Sequence, residues 1–351
     1  MNPPVDSPPP GSSPSPHQRR RRYAGKYPRR FEEKYKERDP GRFGETVAKV
    51  LASGKTPAGT HRPIMVAEVL ATLAPQPGHI AADCTLGYGG HAREILARLL
   101  PGGRLIGLDA DPIELPRTEE RLRAAGFRAE VFTARRANFA GLRQVLADLG
   151  LTGVDLVLAD LGVSSMQLDD PTRGFSVKFE GPLDMRMNPG RGQPASALVK
   201  RIRPEALALM LAENADEPRA AELARVLAGH DFPTTLSLAN GIRNALPGVN
   251  REEVALTIRR VFQALRIQVN DEFSALDTFL RLLPECLNPG GRAAVLTFHS
   301  GEDRRVKKAF AAGAAAGLYS AIAEEVVRPS PHEQRENPRS APAKLRWAAR
   351  A

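Results

Sequence analysis

Glycines and acidic residues in the first half of the chain have a spacing suited to holding a nucleotide-like ligand. Gly87, Gly89 and Gly90 follow the apolar residues 79–84 and open residues 90–100, which have helical spacing. Glycines at a strand-to-helix junction let the backbone turn tightly and approach a ligand, and the helix N-terminus offers free N–H groups. Many such loops are only turns, so the glycines alone are weak evidence.

Three aspartates extend this pattern. Asp109 ends a second predicted strand about twenty residues past the glycines, where a carboxylate can accept both hydroxyls of a ribose. Asp83 lies just before the glycines. Its negative charge would repel a pyrophosphate but would attract the ammonium group of a cationic sulfonium amino acid. Asp160 ends a fourth strand, and the carboxyl ends of parallel strands face the ligand crevice. One such Asp is often only a helix cap; three together predict S-adenosylmethionine as the cofactor.

Two later segments carry polar side chains near predicted strand ends. Residues 160–187 combine acceptors, hydroxyls, arginines and aromatics in a stretch too long for a simple connector. Residues 298–304 leave another strand at the same sheet edge and include His299. An ordinary surface loop is the alternative for the first segment. A helix N-cap by Ser300 is the alternative for the second, although capping does not stop His299 from facing the crevice.

Strand and helix signals alternate up to residue 159, which predicts an α/β fold with a parallel sheet covered by helices on both faces. From about residue 169 the alternation gives way to a loop, 170–194, and then to helical stretches without strand signals. The predicted strands are 79–84, 104–108, 130–133, 154–159, 292–298 and a last edge strand at 345–349; the predicted helices are 64–73, 90–100, 112–125, 139–149, 204–213, 217–229, 235–245, 251–268, 271–287 and 302–315.

These elements predict three parts. Residues 1–57 form a disordered Pro/Arg-rich basic tail, residues 58–168 and 271–351 form the cofactor-binding domain, and residues 169–270 form a loop plus a helical insertion domain. The formal net charge is +10, of which residues 1–60 carry +7, from 13 Lys/Arg and 6 Asp/Glu. Arginines interleaved with aromatics can grip phosphates and stack on bases. The tail therefore predicts a nucleic-acid partner, with a merely solvated arm as the alternative.

The rest of the composition narrows the class of protein. The sequence has no run of eighteen apolar residues, so we expect neither a membrane span nor a membrane partner. The two cysteines, Cys84 and Cys286, lie far apart and match no metal-binding spacing. We expect a cytoplasmic protein without a metal site.

Longer motifs in these segments resemble those of the bacterial ribosomal RNA small subunit methyltransferase H family, also called MraW. The resemblance covers roughly residues 60–351 and implies a Rossmann-like class I methyltransferase sheet interrupted by a helical domain. It also implies methylation of the N4 amine of a cytidine in the decoding region of 16S rRNA within the small ribosomal subunit. The motifs that carry it are HRPIMVAEVL, DCTLGYGGH, DLGVSS-Q-LDD-RGFS, GPLDMRM, FQALRI-VN-E, PGGR, FHS-EDR, NPRS and AKLR.

Motif by motif, the resemblance implies cofactor contacts that add to Asp83 and Gly87 of the glycine loop. They fall on Gly89, Gly90, His91, Asp109, Phe139, Asp160 and Gln167. Phe139 would stack or pack on the adenine.

The chemistry of the target amine suggests further roles. The nitrogen lone pair of cytosine N4 is delocalised into the ring, so the site should accept hydrogen bonds from the amine. The Asp/Ser/Asn-Pro-Pro-aromatic loop that other amine methyltransferases use is absent. We predict that Asp160 lies near the reacting centre, with His299 or Asp184 as a proton acceptor. The predicted phosphate contacts are Arg173, Arg186 and Arg304.

The chain departs from the family pattern at four places. The tail of about 57 residues is not part of the usual pattern, and Gly301 stands where the family commonly has Leu. The other two departures are the segments 215–219 and 257–260. They leave the cofactor site untouched but bear on the target nucleotide and on any partner protein.

Rival functions differ in what they require. A divergent methyltransferase acting on another nucleic acid or on protein would keep the same cofactor site. A non-catalytic ribosome-assembly factor could keep the fold, although the intact set of Asp83, Gly89, Asp109 and Asp160 favours an enzyme. A nicotinamide dehydrogenase fits less well, because the loop lacks the regular GxGxxG spacing.

Overall fold

Short apolar segments build a seven-stranded sheet in the computed structural model, which describes residues 63–351. The first, second and fourth strands are nearly continuous runs of apolar residues, as expected for strands covered on both faces. The strands are β1 (Ile80–Asp83), β2 (Arg104–Asp109), β3 (Phe132–Arg136), β4 (Val154–Asp160), β5 (Leu287–Thr297), β6 (Tyr319–Ile322) and β7 (Lys344–Arg350).

The spatial order of the strands is β3-β2-β1-β4-β5-β7-β6. Neighbours from β3 to β5 are parallel, whereas β7 runs antiparallel to both β5 and β6. The order reverses beside β1, so the crevice at the carboxyl ends of β1 and β4 is the topological switch point where ligands bind in open α/β sheets. This topology confirms the predicted Rossmann-like methyltransferase fold.

Helices cover both faces of the sheet, and further helices lie between β4 and β5 in the chain. They are α1 (Val66–Leu73), α2 (Gly90–Leu99), α3 (Glu114–Ala124), α4 (Leu142–Asp148), α5 (Ser165–Asp169), α6 (Ala195–Arg201), α7 (Pro204–Ala215), α8 (Ala220–Leu227), α9 (Thr235–Ala245), α10 (Arg251–Asn270), α11 (Glu272–Cys286), α12 (Ser300–Ala315) and α13 (Pro331–Glu336).

The buried side chains form three clusters. One packs α4, α11 and α12 on one face of the sheet, and another packs α1 to α3 on the opposite face. The third lies within residues 175–265 and joins the loop after α5 to helices α6 to α10. This helical core supports the predicted insertion, although residues 61–351 hold together as one compact unit. The three-part division stays a prediction.

One expectation about the sheet edge was wrong, and one strand was not predicted. The last strand, β7, was expected at the edge but lies between β5 and β6. The edge strand on this side of the sheet is β6. It was not predicted because its sequence, YSAI, is four residues long and has no clear alternation of apolar and polar residues. Among residues 63–351, the structure contains no helix long and apolar enough to cross a membrane. The predicted tail, 1–57, lies outside the described residues.

Candidate active site

A cavity of about 470 Å³ opens at the carboxyl ends of the parallel strands. Its volume is in the range of small-molecule sites, roughly 300–1,000 Å³. Asp109 at the end of β2 and Asp160 at the end of β4 line it. Asp83 at the end of β1 is 1% exposed and is not among the lining residues. The sheet therefore brings the three predicted aspartates to one edge, with two of them on the cavity surface.

The glycine loop turns between β1 and α2 as expected. Gly87 and Gly89 have φ of +48° and +81°, values that favour glycine. A Cβ at Gly89 would lie 2.8 Å from a methyl group of Thr118, and a Cβ at Gly90 would lie 2.9 Å from the ring of Pro63. Gly87, Gly90 and His91 line the cavity, while Gly89 caps α2 behind it. The loop can close on the cavity only with glycines at these positions.

Asp109 is fixed by two backbone hydrogen bonds. Gly87 N donates to its Oδ2 and Asp111 N to its Oδ1, both at 2.8 Å. Each carboxylate oxygen keeps a second lone pair for a ligand hydroxyl. Burial raises the pKa of Asp109 to about 6. A half-buried carboxylate held by the glycine loop and by the end of β2 is suited to ribose recognition.

Asp160 faces His91 across the cavity wall. Its Oδ2 lies 3.6 Å from Nδ1 of His91, while Nε2 of His91 lies 2.9 Å from the carbonyl oxygen of Ile64. Since only a protonated Nε2 can donate to that carbonyl, Nδ1 of a neutral ring is left as an acceptor toward Asp160. Burial, and secondly the charge of Glu302, raise the pKa of Asp160 to about 7, and burial lowers the pKa of His91. At 3.6 Å the two groups form no direct hydrogen bond, and the protonation of Asp160 changes near neutral pH.

No Lys or Arg among residues 63–351 is seen to form an ion pair with any of the three aspartates, and His91, 3.6 Å from Asp160, has a lowered pKa. Burial raises the pKa of Asp83 to about 6, as it does for Asp109, and raises that of Asp160 further. Buried carboxylates resist ionisation unless a cation compensates them. A cationic ligand with a ribose and an ammonium group would supply that compensation, so the residues present fit S-adenosylmethionine.

Phe139 and Gln167 lie at the cavity as expected. Phe139 is held edge-on against Phe279, with ring centroids 5.6 Å apart, and its exposed side lines the cavity. Gln167 completes a capping box with Ser164 at the start of α5 and donates to Asp111 at 3.0 Å. Phe139 thus offers an apolar face to a ring system, and Gln167 joins α5 to the end of β2.

A second end of the cavity was not foreseen in the sequence. Its wall comes from the junction of α10 and α11 and from the segment after β5. Arg266 and Glu272 form a bidentate ion pair with N–O distances of 2.9 and 2.8 Å. The residues that line this end are Arg266, Asn270, Glu272, Phe273, Phe298 and Glu302. The FQALRI-VN-E motif contains three of them, but one sequence alone assigns them no role.

The structure corrects the expectation that His299 accepts a proton. His299, not Ser300, is the N-cap of α12, and its Nδ1 accepts from Glu302 N at 3.4 Å. Its Nε2 lies 3.1 Å from Oε1 of Glu302, an ion-pair contact without hydrogen-bond geometry. The ring therefore lies against Glu302, and His299 is not among the residues that line the cavity. The residue that faces the cavity is Glu302.

Asp184 and Arg186 also lie away from the cavity lining. They form a two-contact pair, with Arg186 Nε and Nη2 donating to the Asp184 carboxylate at 2.8 and 2.7 Å. Burial alone would raise the pKa of Asp184, but the hydrogen bonds and charge of Arg186 outweigh it and lower the pKa. Asp184 is therefore an ionised partner of Arg186 and does not line the cavity.

Two predicted phosphate contacts have protein partners. Arg173 is 9% exposed; it donates to Asp111 at 2.9 Å and to the carbonyl oxygens of Arg186 and Met187. This burial contradicts a phosphate role for Arg173, because its guanidinium is occupied inside the protein. Arg304 is more than half exposed and pairs with Asp216 at 2.9 Å. Arg304 stays a predicted phosphate contact, as does the partly exposed Arg186.

Gly301, which departs from the family pattern, has a packing reason. A Cβ at this position would lie 2.6 Å from the ring of Phe273. Phe273 lines the second end of the cavity and lies under the guanidinium of Arg305, 4.1 Å from the ring centroid. In this chain an aromatic side chain therefore fills the space that a larger residue at position 301 would need.

Comparison with known proteins covers all the residues that the structure describes. The chain matches the MraW methylase family over residues 58–351. It is 46% identical over 344 residues to ribosomal RNA small subunit methyltransferase H 1 of Lachnoclostridium phytofermentans, covering 95% of this chain and 93% of the relative. It is 49% identical over 343 residues to ribosomal RNA small subunit methyltransferase H 2 of Alkaliphilus metalliredigens, covering 95% and 98%.

Coverage of 95% leaves fewer residues outside the match than the 57 of the predicted tail, so the similarity to these relatives extends into the tail. The match to the family itself begins at residue 58, which agrees with the expectation that the tail is not part of the usual family pattern. Among solved structures, a putative rRNA-methylase from Clostridium thermocellum aligns at 12% identity over 82% of this chain and 95% of its own, with a TM-score of 0.39. Family match and relatives together show that the chain belongs to the MraW methylase family.

Proposed function

We propose that this protein transfers a methyl group from S-adenosylmethionine to the N4 amine of a cytidine in the decoding region of 16S rRNA. The observation that carries the proposal is the cavity that joins Asp109 and Asp160 at the switch point of the sheet to a second, aromatic-walled end. The relatives of this chain are named as methyltransferases of the small subunit ribosomal RNA. The substrate is 16S rRNA within the small ribosomal subunit, in the cytoplasm.

The two ends of the cavity have different roles, one for the cofactor and one for the target base. When bound, S-adenosylmethionine supplies an activated methyl group. Asp109 would bind its ribose, the glycine loop its amino-acid part and Phe139 its adenine, while the buried Asp83 would attract its ammonium group from behind the cavity surface. Asp160 lies between the two ends and can accept a hydrogen bond from the target amine. Phe273 and Phe298 can stack on a cytosine that has left its helix. Holding the reactants in line supplies much of the rate.

Nucleoside analysis in cells tests this function. A strain whose own copy of the gene is deleted is complemented with the wild-type chain or with Asp109→Ala, and 16S rRNA nucleosides are measured by mass spectrometry. We expect N4-methylcytidine to return with the wild type and to stay absent with Asp109→Ala, because the variant cannot hold the ribose. Full methylation by Asp109→Ala would contradict the site. No N4-methylcytidine with the wild type would contradict the function.

A further inference from the structure

The carboxylate of Glu302 lines the cavity together with Arg266, Phe273 and Phe298. Its side chain is 4% exposed yet lines the cavity. Phe298 N donates to its Oε2 at 2.7 Å, His299 Nε2 lies 3.1 Å from its Oε1 as an ion-pair contact, and Arg266 lies 4.0 Å away. Each carboxylate oxygen has two acceptor positions, so each keeps one after these contacts. These contacts thus hold Glu302 in place, and each of its carboxylate oxygens can still accept one more hydrogen bond.

Register places Glu302 beside Asp160. β4 and β5 are parallel neighbours with Asp160 opposite Leu296, and Leu161 N donates to the carbonyl oxygen of Leu296. Phe298, whose backbone holds Glu302, follows two residues later. The two carboxylates therefore come from adjacent strand ends and line the same cavity.

The surroundings of these two carboxylates shift their pKa values in opposite directions. Burial would raise the pKa of Glu302, but the close contact and charge of His299 and the charge of Arg266 hold it below its usual value. Burial and the charge of Glu302 raise the pKa of Asp160 to about 7. Paired groups with separated pKa values mark different roles in proton transfer. Glu302 is the member that stays ionised, and Asp160 is the member whose protonation changes near neutral pH.

We propose that Glu302 is a catalytic residue that accepts a hydrogen bond from the target amine and takes its proton during methyl transfer. This rests on the proposed function. The nitrogen–carbon bond forms as the carbon–sulfur bond of the donor breaks, the sulfonium becomes a neutral thioether, and the displaced N–H proton passes to the Glu302 carboxylate. His299 and Arg266 are positioning residues that keep this carboxylate charged and aimed at the cavity.

Single-turnover methylation of small ribosomal subunits from the deletion strain tests the proposal. Glu302→Gln keeps the size of the side chain and its acceptor toward Phe298 N but removes the charge that takes the proton. We expect its rate constant to fall ~100- to 1,000-fold, as for loss of a general base. The affinity for the cofactor by calorimetry and for the subunits by filter binding should each stay within about threefold of wild type, a small change of ~0.6 kcal/mol. Glu302→Asp should recover part of the rate.

Asp303→Asn is the matched control. Asp303 is the next residue in α12, is also buried, and pairs with Lys344 and Arg346 at 2.7 and 2.6 Å, but it does not line the cavity. This variant should unfold at lower urea concentration than wild type yet keep the wild-type rate constant. If Glu302→Gln methylates as fast as wild type, or if its loss of rate equals a loss of subunit affinity, Glu302 is not the acceptor. If the wild type forms no N4-methylcytidine, the proposed function fails as well.

Discussion

At the scale of single residues, the carboxyl groups at the strand ends of the site lie where burial makes them costly to ionise. Asp83, Asp109 and Asp160 all end strands of the sheet, and burial raises the pKa of each. Their aspartate identity and spacing could be predicted from the sequence. Their protonation could not, because it depends on what the fold packs around them.

Asp160 gives a pH-dependent prediction about stability. Its folded pKa of about 7 lies above the ordinary 3.8, so the folded state binds the proton more tightly and stability falls as the pH rises through this range. At ~1.4 kcal/mol per pH unit the full difference is ~4 kcal/mol. Asp160→Asn should therefore stabilise the cofactor-free protein at pH 8, by about 1–4 kcal/mol, and not at pH 4. Urea unfolding at both pH values measures this.

Asp184→Asn supplies a control of opposite sign. The pKa of Asp184 is lowered, mainly by Arg186 against the effect of burial, so its stabilising effect is present above the ordinary pKa and is lost as the pH falls. This variant should be less stable than wild type at pH 8. A gain from Asp160→Asn that is equal at pH 4 and pH 8 would contradict the assigned ionisation.

At the scale of elements, one buried ion pair joins the cofactor end of the cavity to the segment after α5. Arg173 Nη1 donates to Asp111 Oδ2 at 2.9 Å, and Nη2 donates to the carbonyl oxygens of Arg186 and Met187. Asp111 also donates its backbone N–H to Asp109. The sequence placed Arg173 on a loop, where an arginine suggests a phosphate contact. Only the fold showed that the loop turns this side chain inward.

Substitution of Arg173 should therefore lower the stability of the folded protein. Arg173→Met leaves Asp111 buried without its cation, and breaking a buried pair in this way costs about 3–5 kcal/mol. The double variant Asp111→Asn/Arg173→Met removes the unpaired charge, so it should be less destabilised than the sum of the two single variants. A double-mutant cycle by urea unfolding measures the difference. Additive losses would show that the pair is not coupled.

The sheet edge shows a limit of pattern analysis at this scale. The C-terminal strand β7 was expected from its apolar residues, but its place between β5 and β6 was not. Pairing is decided by which edges are free after the chain has folded, and a strand pattern carries no information about its neighbour. In contrast, the helix from 235 to 245 was predicted with the bounds that the structure has, since Thr234 caps it and its apolar residues recur at helical spacing.

At the scale of the whole molecule, the uneven charge predicts how the protein meets RNA. Residues 1–60 carry +7 of the net +10. Deletion of residues 1–57 should weaken binding to the small ribosomal subunit and reduce the slope of log affinity against log salt, because fewer counterions are released. Filter binding between about 50 and 200 mM salt measures both quantities. Arg304→Ala, which removes a single charge, provides the comparison. An unchanged slope after deletion would mean that the tail does not contact RNA.

The sequence by itself determined the alternating α/β pattern, the helical segment, the glycine loop and the aspartates at strand ends, because these features depend on local spacing and on residue type. The tertiary structure decided which side chains face the cavity. It placed Glu302 in the cavity wall, turned His299 toward Glu302 and buried Arg173. Residues 160, 266, 273 and 302 are far apart in the chain, and only the pairing of β4 with β5 and the packing of α10, α11 and α12 bring them together. Contacts at such separations are set by how the elements pack, so the chemistry of the second end of the cavity became visible only in the fold.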